Sequence, residues 1–452
     1  MGGAQARPRL ERTDIHGPAE AVTPRDDPGP RARLSAVLRS GGTRVGLLVL
    51  STSMVGHVGN YLFYVLAARA LTPAEFADVS AMTALATIVF MPASGIQAAV
   101  ARDTAALIAS GRQADADGLT RSLVRDLGLV QAVLLVTLVL ATPAAVAFLG
   151  LSSYAVWWVG TAWLVLGLAL QVSLGPLQGR RRFVAVSAVL AGPLGALRPL
   201  FLVPCVAVAG VPGALGALLL ATVVGLLGVG FALRRSFGPR RPTRMRLTGA
   251  VPAVAALVGF ASLTNADVLA AKTVLDPTTA GLYASAALLG KIALYAPSAL
   301  ALVLLPTVTA RLEAGLDVRA PALLTMGATV GTGALVTVAI LLAPPATVGL
   351  VFGPEYVGAY ALAAPLAAVM TLCALLQVHL MMALAGREWV TIWATAGAAV
   401  VQVLGLALLA RSSADVVVVT AVSAAAAILV HEVMSPFGAA RLLLGSRAGA
   451  DG

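Results

Sequence analysis

Two full charges stand deep in apolar runs between Gly259 and Ser298, Asp267 in the first run and Lys291 in the second. A charge at the centre of a membrane-length apolar helix costs roughly 2.5–3.5 kcal/mol on insertion scales, so such residues are rarely accidental. Counted from the Asp276-Pro277 turn that joins the runs, Asp267 lies about 10 residues deep and Lys291 about 14. The depth difference is roughly 6 Å at ~1.5 Å per residue, which a lysine reaching along its helix nearly closes. Two chemistries follow. Paired, the charges lower each other's desolvation penalty and lock the two helices together. Parted, the carboxylate loses its counter-charge and can take a proton or another cation in one conformation only, which would let an ion gradient bias a two-state equilibrium. Asp267 is therefore the ion-coupling candidate, the only carboxylate that the sequence places deep in a span.

Three further groups carry polar chemistry at depth. Ser53, His57, Asn60, Tyr61 and Tyr64 recur at i, i+4, i+7, i+8 and i+11, one face of a helix. A polar stripe on an apolar helix faces either neighbouring helices, through hydrogen bonds, or a water-filled cavity. Lys291, Tyr295 and Ser298 make a shorter stripe of the same kind. Arg198 lies about 15 Å from the end of its run at ~1.5 Å per residue, near the middle of a membrane. Its guanidinium can fork onto a phosphate, or it can be held by carbonyls freed at Pro193 and Pro199. His57, Asn60, Tyr61, Tyr64, Arg198 and Lys291 are the candidate substrate-binding residues. His379 and the His431-Glu432 pair fall near span ends, where they can snorkel to the interface, and Trp157, Trp158 and Trp389 fit an aromatic belt. The run His431-Glu432-Val433-Met434-Ser435 begins like a zinc-protease helix, but Ser435 stands where the second His is needed. Neither GxGxxG before a nucleotide fold nor GxxxxGK[ST] occurs, so no cofactor and no ATP site is expected, and no catalytic residue is assigned. Cys205 and Cys373 both lie in apolar runs, which indicates neither a disulfide framework nor a zinc site.

Elements able to hold these groups follow from composition. Hydrophobic residues make up 59% of the 452 and charged residues 11%; mean hydropathy is +0.91. The charges are gathered between apolar runs of about 20 residues, each long enough to cross a ~30 Å hydrocarbon layer. The fold class is an all-α polytopic membrane protein of about twelve transmembrane helices, at 45–68, 78–100, 126–149, 155–178, 183–208, 212–233, 249–273, 279–305, 321–343, 357–384, 389–410 and 414–436. With the N-terminus inside, 26 of the 31 basic residues fall in cytoplasmic segments, as the positive-inside rule demands, and both termini are cytoplasmic. The net charge of +11 is then accounted for by orientation, and no nucleic-acid partner is read from it. Residues 1–43 form a disordered basic cytoplasmic tail without the features of a secretory signal. An N-terminal six-helix lobe follows at 44–233, a basic linker at 234–248, a C-terminal lobe at 249–437 and a cytoplasmic tail at 438–452. Exterior loops are very short, leaving no room for the outer domain of a glycan ligase or polymerase. Gly59–Ser94 echoes Gly259–Ser298 at a period of about 204, with Thr72-Pro73 opposite Asp276-Pro277, which points to two similar halves.

The stretch LAARALTPAEFADVSAMTALATI resembles the start of oligosaccharide flippases of the polysaccharide-biosynthesis type, in the superfamily that also holds multidrug and toxin extruders. LTNADVLAAKTVLDPTTAGLYASAALLGKI, VFGPEYVGAYALAAPLAAVM and LQGRRRF add to the resemblance, which covers residues 45 to about 436. It implies two six-helix bundles, related by a pseudo-two-fold axis along the membrane normal, around a cavity that opens alternately to each side. It also implies the substrate: a polyprenyl-diphosphate-linked oligosaccharide moved to the outer leaflet of the plasma membrane for cell-surface polysaccharide synthesis. Glycan polymerases or glycosyltransferases are candidate partners beside the lipid bilayer. The first span lacks the acidic residue that many cation-coupled drug extruders of the superfamily carry, which weighs against drug extrusion. A cation-coupled small-molecule antiporter of the same fold and a non-transporting membrane scaffold are the alternatives.

Overall fold

The computed structural model describes residues 41–237 and 251–444, and among them every regular element is helical. The expected tail before residue 41, the linker from 238 and the last eight residues lie outside the described residues. The first half comprises α1 (Gly41–Ala70), α2 (Pro73–Ala109), α3 (Gln113–Leu140) with its continuation α4 (Thr142–Leu149), α5 (Tyr154–Gly179) and α6 (Phe183–Ala191). A π-helical turn at Gly192–Ala196 leads from α6 into α7 (Leu197–Leu233). The second half comprises α8 (Val251–Leu263), α9 (Ala266–Val274), α10 (Pro277–Tyr295), α11 (Ser298–Glu313), α12 (Arg319–Leu342) and α13 (Ala346–Phe352). After a 3₁₀ turn at Pro354–Ala359 come α14 (Tyr360–Gly386), α15 (Trp389–Leu409), α16 (Ser413–Met434) and α17 (Ala439–Leu444).

Among the described residues, eight helices are long and apolar enough to cross a membrane, and α8 with α9, bent by 42°, makes a ninth. One of the eight is the 51-residue run Phe183–Leu233. It contains two expected spans, because Gly210 takes φ 56°, ψ −129° inside α7 and turns the chain there. A side chain at that φ is strained, whereas glycine adopts it freely. α1, and α10 with α11, stand where the first and eighth spans are expected, so the count of twelve is consistent with the structure. The charged stretches 102–125 and 306–320 are taken up by the ends of long helices, α2 and α3 in the first case and α11 and α12 in the second.

One end of the molecule carries the turns before α2, α5, α10 and α16, and each of these helices starts on a side-chain cap. Thr72 and Ser412 form capping boxes with Glu75 and Asp415. Ser153 accepts from the Val156 amide and Asp276 from the Thr279 amide. The hydroxyl and amide of Thr279 hold the Asp276 carboxyl below its ordinary range. Such caps satisfy amides that a helix start leaves unpaired. The opposite end carries most of the described arginines, Arg112, Arg121, Arg125, Arg180, Arg181, Arg182, Arg234, Arg235, Arg311, Arg319 and Arg387 among them. These are the arginine-poor and arginine-rich ends below.

α1–α7 form one bundle and α8–α16 the other. Their packing differs between the ends. Toward the arginine-poor end a single hydrophobic core runs through both bundles, joining Phe63, Phe76, Trp157 and Leu215 to Tyr283, Phe352, Tyr356 and Leu366. Toward the arginine-rich end each bundle has a cluster of its own, Leu170, Leu177, Val186 and Leu233 in the first and Leu304, Met326, Leu376 and Phe437 in the second, while α2 still meets the second bundle through Met91 and through Gly95, which faces Val254 and Leu257 of α8. Large apolar side chains such as Val133, Leu140, Val208, Leu227, Leu335 and Leu342 remain exposed, as surfaces solvated by lipid do.

Candidate functional site

Arg198 meets α1 because the two backbones come unusually close. A Cβ on Gly59 would lie 2.5 Å from the Gly195 carbonyl carbon, and one on Gly56 would lie 3.0 Å from the Leu190 oxygen. Only glycine permits that approach, which falls on the π-helical turn at Pro193. One residue beyond the contact, the Arg198 Nη1–H donates to Asn60 Oδ1. The arginine is therefore held by a side chain of the polar stripe and not by carbonyls freed at Pro193 and Pro199. Its Nε–H is buried without a hydrogen-bond partner. Tyr64, one turn on from Asn60, lies near the guanidinium and near Thr83 of α2. Tyr61 is half-buried, and His57 faces Tyr295 of the other bundle, ring centroids 6.3 Å apart. Along the α1–α7 crossing lies an apolar groove of about 440 Å³, lined by Met54, Val55, Val58, Leu62 and Pro199.

The second bundle holds Asp267 and Lys291 around the bend between α8 and α9. Among the described residues no direct ion pair joins them. Lys291 Nζ donates to Asn265 Oδ1 at 2.7 Å, and Asp267 Oδ2 accepts from the Tyr283 hydroxyl at 3.1 Å. Asn265 lies two residues nearer the depth of Lys291 than Asp267 does, so the lysine reaches it first. Its own Nδ2 donates to the Ala261 carbonyl at 2.9 Å, and Gln402 Nε2 donates to the Leu263 carbonyl at 3.2 Å, covering acceptors that the bend exposes. Asp267 is fully buried in the first turn of α9, where the positive end of a helix suits a carboxylate. Its Oδ1 has no hydrogen-bond partner.

Asp267 is not the only buried carboxylate. Asp78 in α2 is 1% exposed; it pairs with Lys272 of α9 at 2.7 Å and accepts from the Ser152 amide at 3.0 Å. The signal was present in the sequence as opposite charges in two apolar runs, FADVSAM and LAAKTVL. Nothing in either run gave their distance. This pair joins the two bundles toward the arginine-poor end, and other contacts reinforce it. Tyr356 donates to the Leu71 carbonyl at 3.0 Å, and Arg69 Nε to the Val351 carbonyl at 2.8 Å. A Cβ on Gly281 would sit 1.8 Å from the Pro73 oxygen.

The residues expected at the interface are buried instead. His379 and His431 are 3% and 0% exposed. His379 Nε2 meets Glu432 Oε1 at 2.6 Å, and His431 Nε2 meets Thr395 Oγ1 at 2.9 Å. The second bundle supplies partners that the sequence does not reveal, so snorkelling is unnecessary. Trp157 is likewise buried and donates to the Leu138 carbonyl at 2.9 Å, whereas Trp158 and Trp389 are about half exposed. No cluster of three or more metal-ligating side chains occurs among the described residues.

No protein-family model matches the chain, and no curated protein matches it. Solved structures do share its fold. An inward-facing multidrug-resistance MATE family transporter of the MOP superfamily superposes with TM-score 0.69 at 17% identity, covering 88% of this chain and 99% of that one. An outward-facing structure of a MATE family transporter of that superfamily gives TM-score 0.60 at 16% identity, over 91% and 98%. A MOP superfamily transporter from Pyrococcus furiosus, whose binding pocket has reversed polarity, gives 0.58 at 17%, over 89% and 98%. The fold is thus the two-bundle MATE fold.

Proposed function

We propose that the chain is a transporter that moves a polyprenyl-diphosphate-linked oligosaccharide from the cytoplasmic to the outer leaflet of the plasma membrane by alternating access. The observation that carries this reading is Arg198, a guanidinium within the apolar fold whose Nε–H is buried and unpartnered. A donor in that state stabilises the fold less than a satisfied one, and a movement of the bundles that uncovers it would offer it to an anion. Lys291 supplies a second cation from the other bundle. The oligosaccharide headgroup occupies the space between the bundles, while the tail stays in lipid or along the apolar groove at the α1–α7 crossing. In this reading the arginine-rich end faces the cytoplasm, as the positive-inside rule favours, and the substrate loads from that end. The first lobe spans 44–233 and the second 249–437, with the basic segment 234–248 as the connection about which they rock. Glycan polymerases or glycosyltransferases are the natural neighbours of such a step. The Pyrococcus furiosus neighbour, from whose pocket polarity a different function is suggested, supports reading function from the sign of the pocket. In this chain that sign is positive at Arg198 and Lys291.

Depletion of the protein should cause a lipid-linked glycan to accumulate on the cytoplasmic leaflet, identified by mass spectrometry; no accumulation would overturn the reading. Arg198→Ala should weaken binding of the diphosphate lipid by about ten- to a hundredfold, the equivalent of losing a charged hydrogen bond of ~1.5–3 kcal/mol, while still inserting. Arg198→Lys should recover part of it, since it keeps the charge and loses the fork. The unpartnered Asp267 Oδ1 favours a second reading, a cation-coupled antiporter of small molecules. Cation-driven uptake of an organic cation into vesicles, unaffected by Arg198→Ala, would favour it.

A further inference from the structure

We infer that His57 and Tyr295 form an aromatic clamp, one jaw on each bundle, that grips the sugar directly bonded to the substrate's diphosphate; this rests on the transport reading above. The two rings are close to parallel, 22° between planes, with centroids 6.3 Å apart. That is the long end of the 4.5–7 Å range of stacked aromatic pairs, so the jaws touch loosely. Both are exposed, Tyr295 by 48%, although they face one another between two bundles. Large aromatic side chains in a packed interface are usually buried; exposed ones facing a cleft have surface to give a ligand.

Their places relative to the cations are matched. His57 lies three residues from Asn60, the partner of Arg198, and Tyr295 four residues from Lys291. Residues at those spacings share a helix face. α1 runs toward the arginine-poor end and α10 runs away from it, so each ring lies about one turn, roughly 5 Å, nearer the arginine-rich end than its neighbour, Asn60, which holds Arg198, on α1 and Lys291 on α10. A hexopyranose on a diphosphate held by Arg198 and Lys291 therefore reaches the level of the two rings. The apolar face of a pyranose presents C–H groups carrying slight positive charge, which complement the negative face of an aromatic ring. Because one jaw belongs to each bundle, the grip tightens or loosens as the bundles move, and a substrate held in one conformation is released in the other.

The test uses the full chain in lipid nanodiscs and two probes, a sugar-free polyprenyl diphosphate and the same lipid bearing one hexose. The wild type should bind the hexose-bearing lipid about tenfold more tightly. Tyr295→Ala and His57→Ala should each remove most of that ratio, whereas Tyr295→Phe, which keeps the ring, should retain it. A ratio unchanged by Tyr295→Ala and His57→Ala, or a Tyr295→Phe variant as poor as Tyr295→Ala, would overturn the clamp. So would a wild type that binds both lipids equally, which leaves the diphosphate-lipid reading standing. A wild type that binds neither lipid overturns both.

Discussion

Asp267, Asn265 and Lys291 are three residues whose partners decide between a structural lock and a coupling site. Because Lys291 is anchored on Asn265 and not on Asp267, Asp267→Asn breaks no direct ion pair, and the new amide oxygen can still accept from Tyr283. Asp267→Asn should therefore leave the unfolding temperature in detergent nearly unchanged, and under the coupling reading it should free transport from an imposed ion gradient. Asn265→Leu should be the damaging substitution, destabilising by about 1–3 kcal/mol by stranding the lysine and uncovering the Ala261 carbonyl. If Asp267→Asn proves the more destabilising of the two, the carboxylate is a lock. Both charges were legible from sequence because a Lys or Asp inside an apolar run is conspicuous. Their actual partners were not: Asn265 is neutral, Tyr283 is an ordinary helical aromatic, and a 42° bend sets their distances. Arg198 and Asn60 were each visible for the same reason, but their bond depends on a glycine contact between helices far apart in sequence.

Helices meet at glycines here, and two of these contacts separate packing within a bundle from packing between bundles. Gly281 of α10 lies against the Pro73 carbonyl of α2, in the other bundle, while Gly290 lies against the Leu366–Ala367 backbone of α14, in its own. Gly281→Ala should push the bundles apart at the arginine-poor end and raise the labelling rate of a cysteine placed at Ala77, which shares the Pro73 face of α2 one turn on. Gly290→Ala should lower thermal stability without changing that rate. Equal effects from both would mean that α10 moves with neither bundle independently. The presence and order of the apolar helices were readable, since hydropathy dictates which stretches must cross lipid, but their ends were not: Pro73–Ala109 overruns the expected 78–100 at both ends, and Gln113–Leu140 begins well before 126. Hydropathy is silent on how helices continue beyond the membrane, and α2, α3, α11 and α12 run on into charged stretches. Pro193 stands in a π-helical turn and Pro297 at the start of α11, but Pro92 and Pro365 sit inside continuous helices; a proline can bend a helix without ending it.

Across the whole molecule, the bundles share a core at the arginine-poor end, and among the described residues Asp78–Lys272 is a buried ion pair across it. Cysteines replacing Gly210, Pro277 and Ser412 should be reachable from outside, and those replacing Gly238 and Gly315 only from inside; an externally reachable Gly238 would overturn the two-lobe orientation. For the chain to alternate, the arginine-poor end must open, and Asp78 must then part from Lys272. In the closed state, removing one partner leaves the other charged and buried, a penalty of about 3–5 kcal/mol. In the open state water reaches the remaining charge and most of that penalty disappears. Asp78→Asn should therefore shift the population toward the state open at the arginine-poor end by at least two orders of magnitude, since each ~1.4 kcal/mol is tenfold. Combining Asp78→Asn with Lys272→Met removes both charges and should return much of the closed population. With Cys205 and Cys373 replaced, a cysteine at Ala77 should label fast in the single variant and slowly in the double. Slow labelling in both would show that the pair fastens the bundles without taking part in any opening between them.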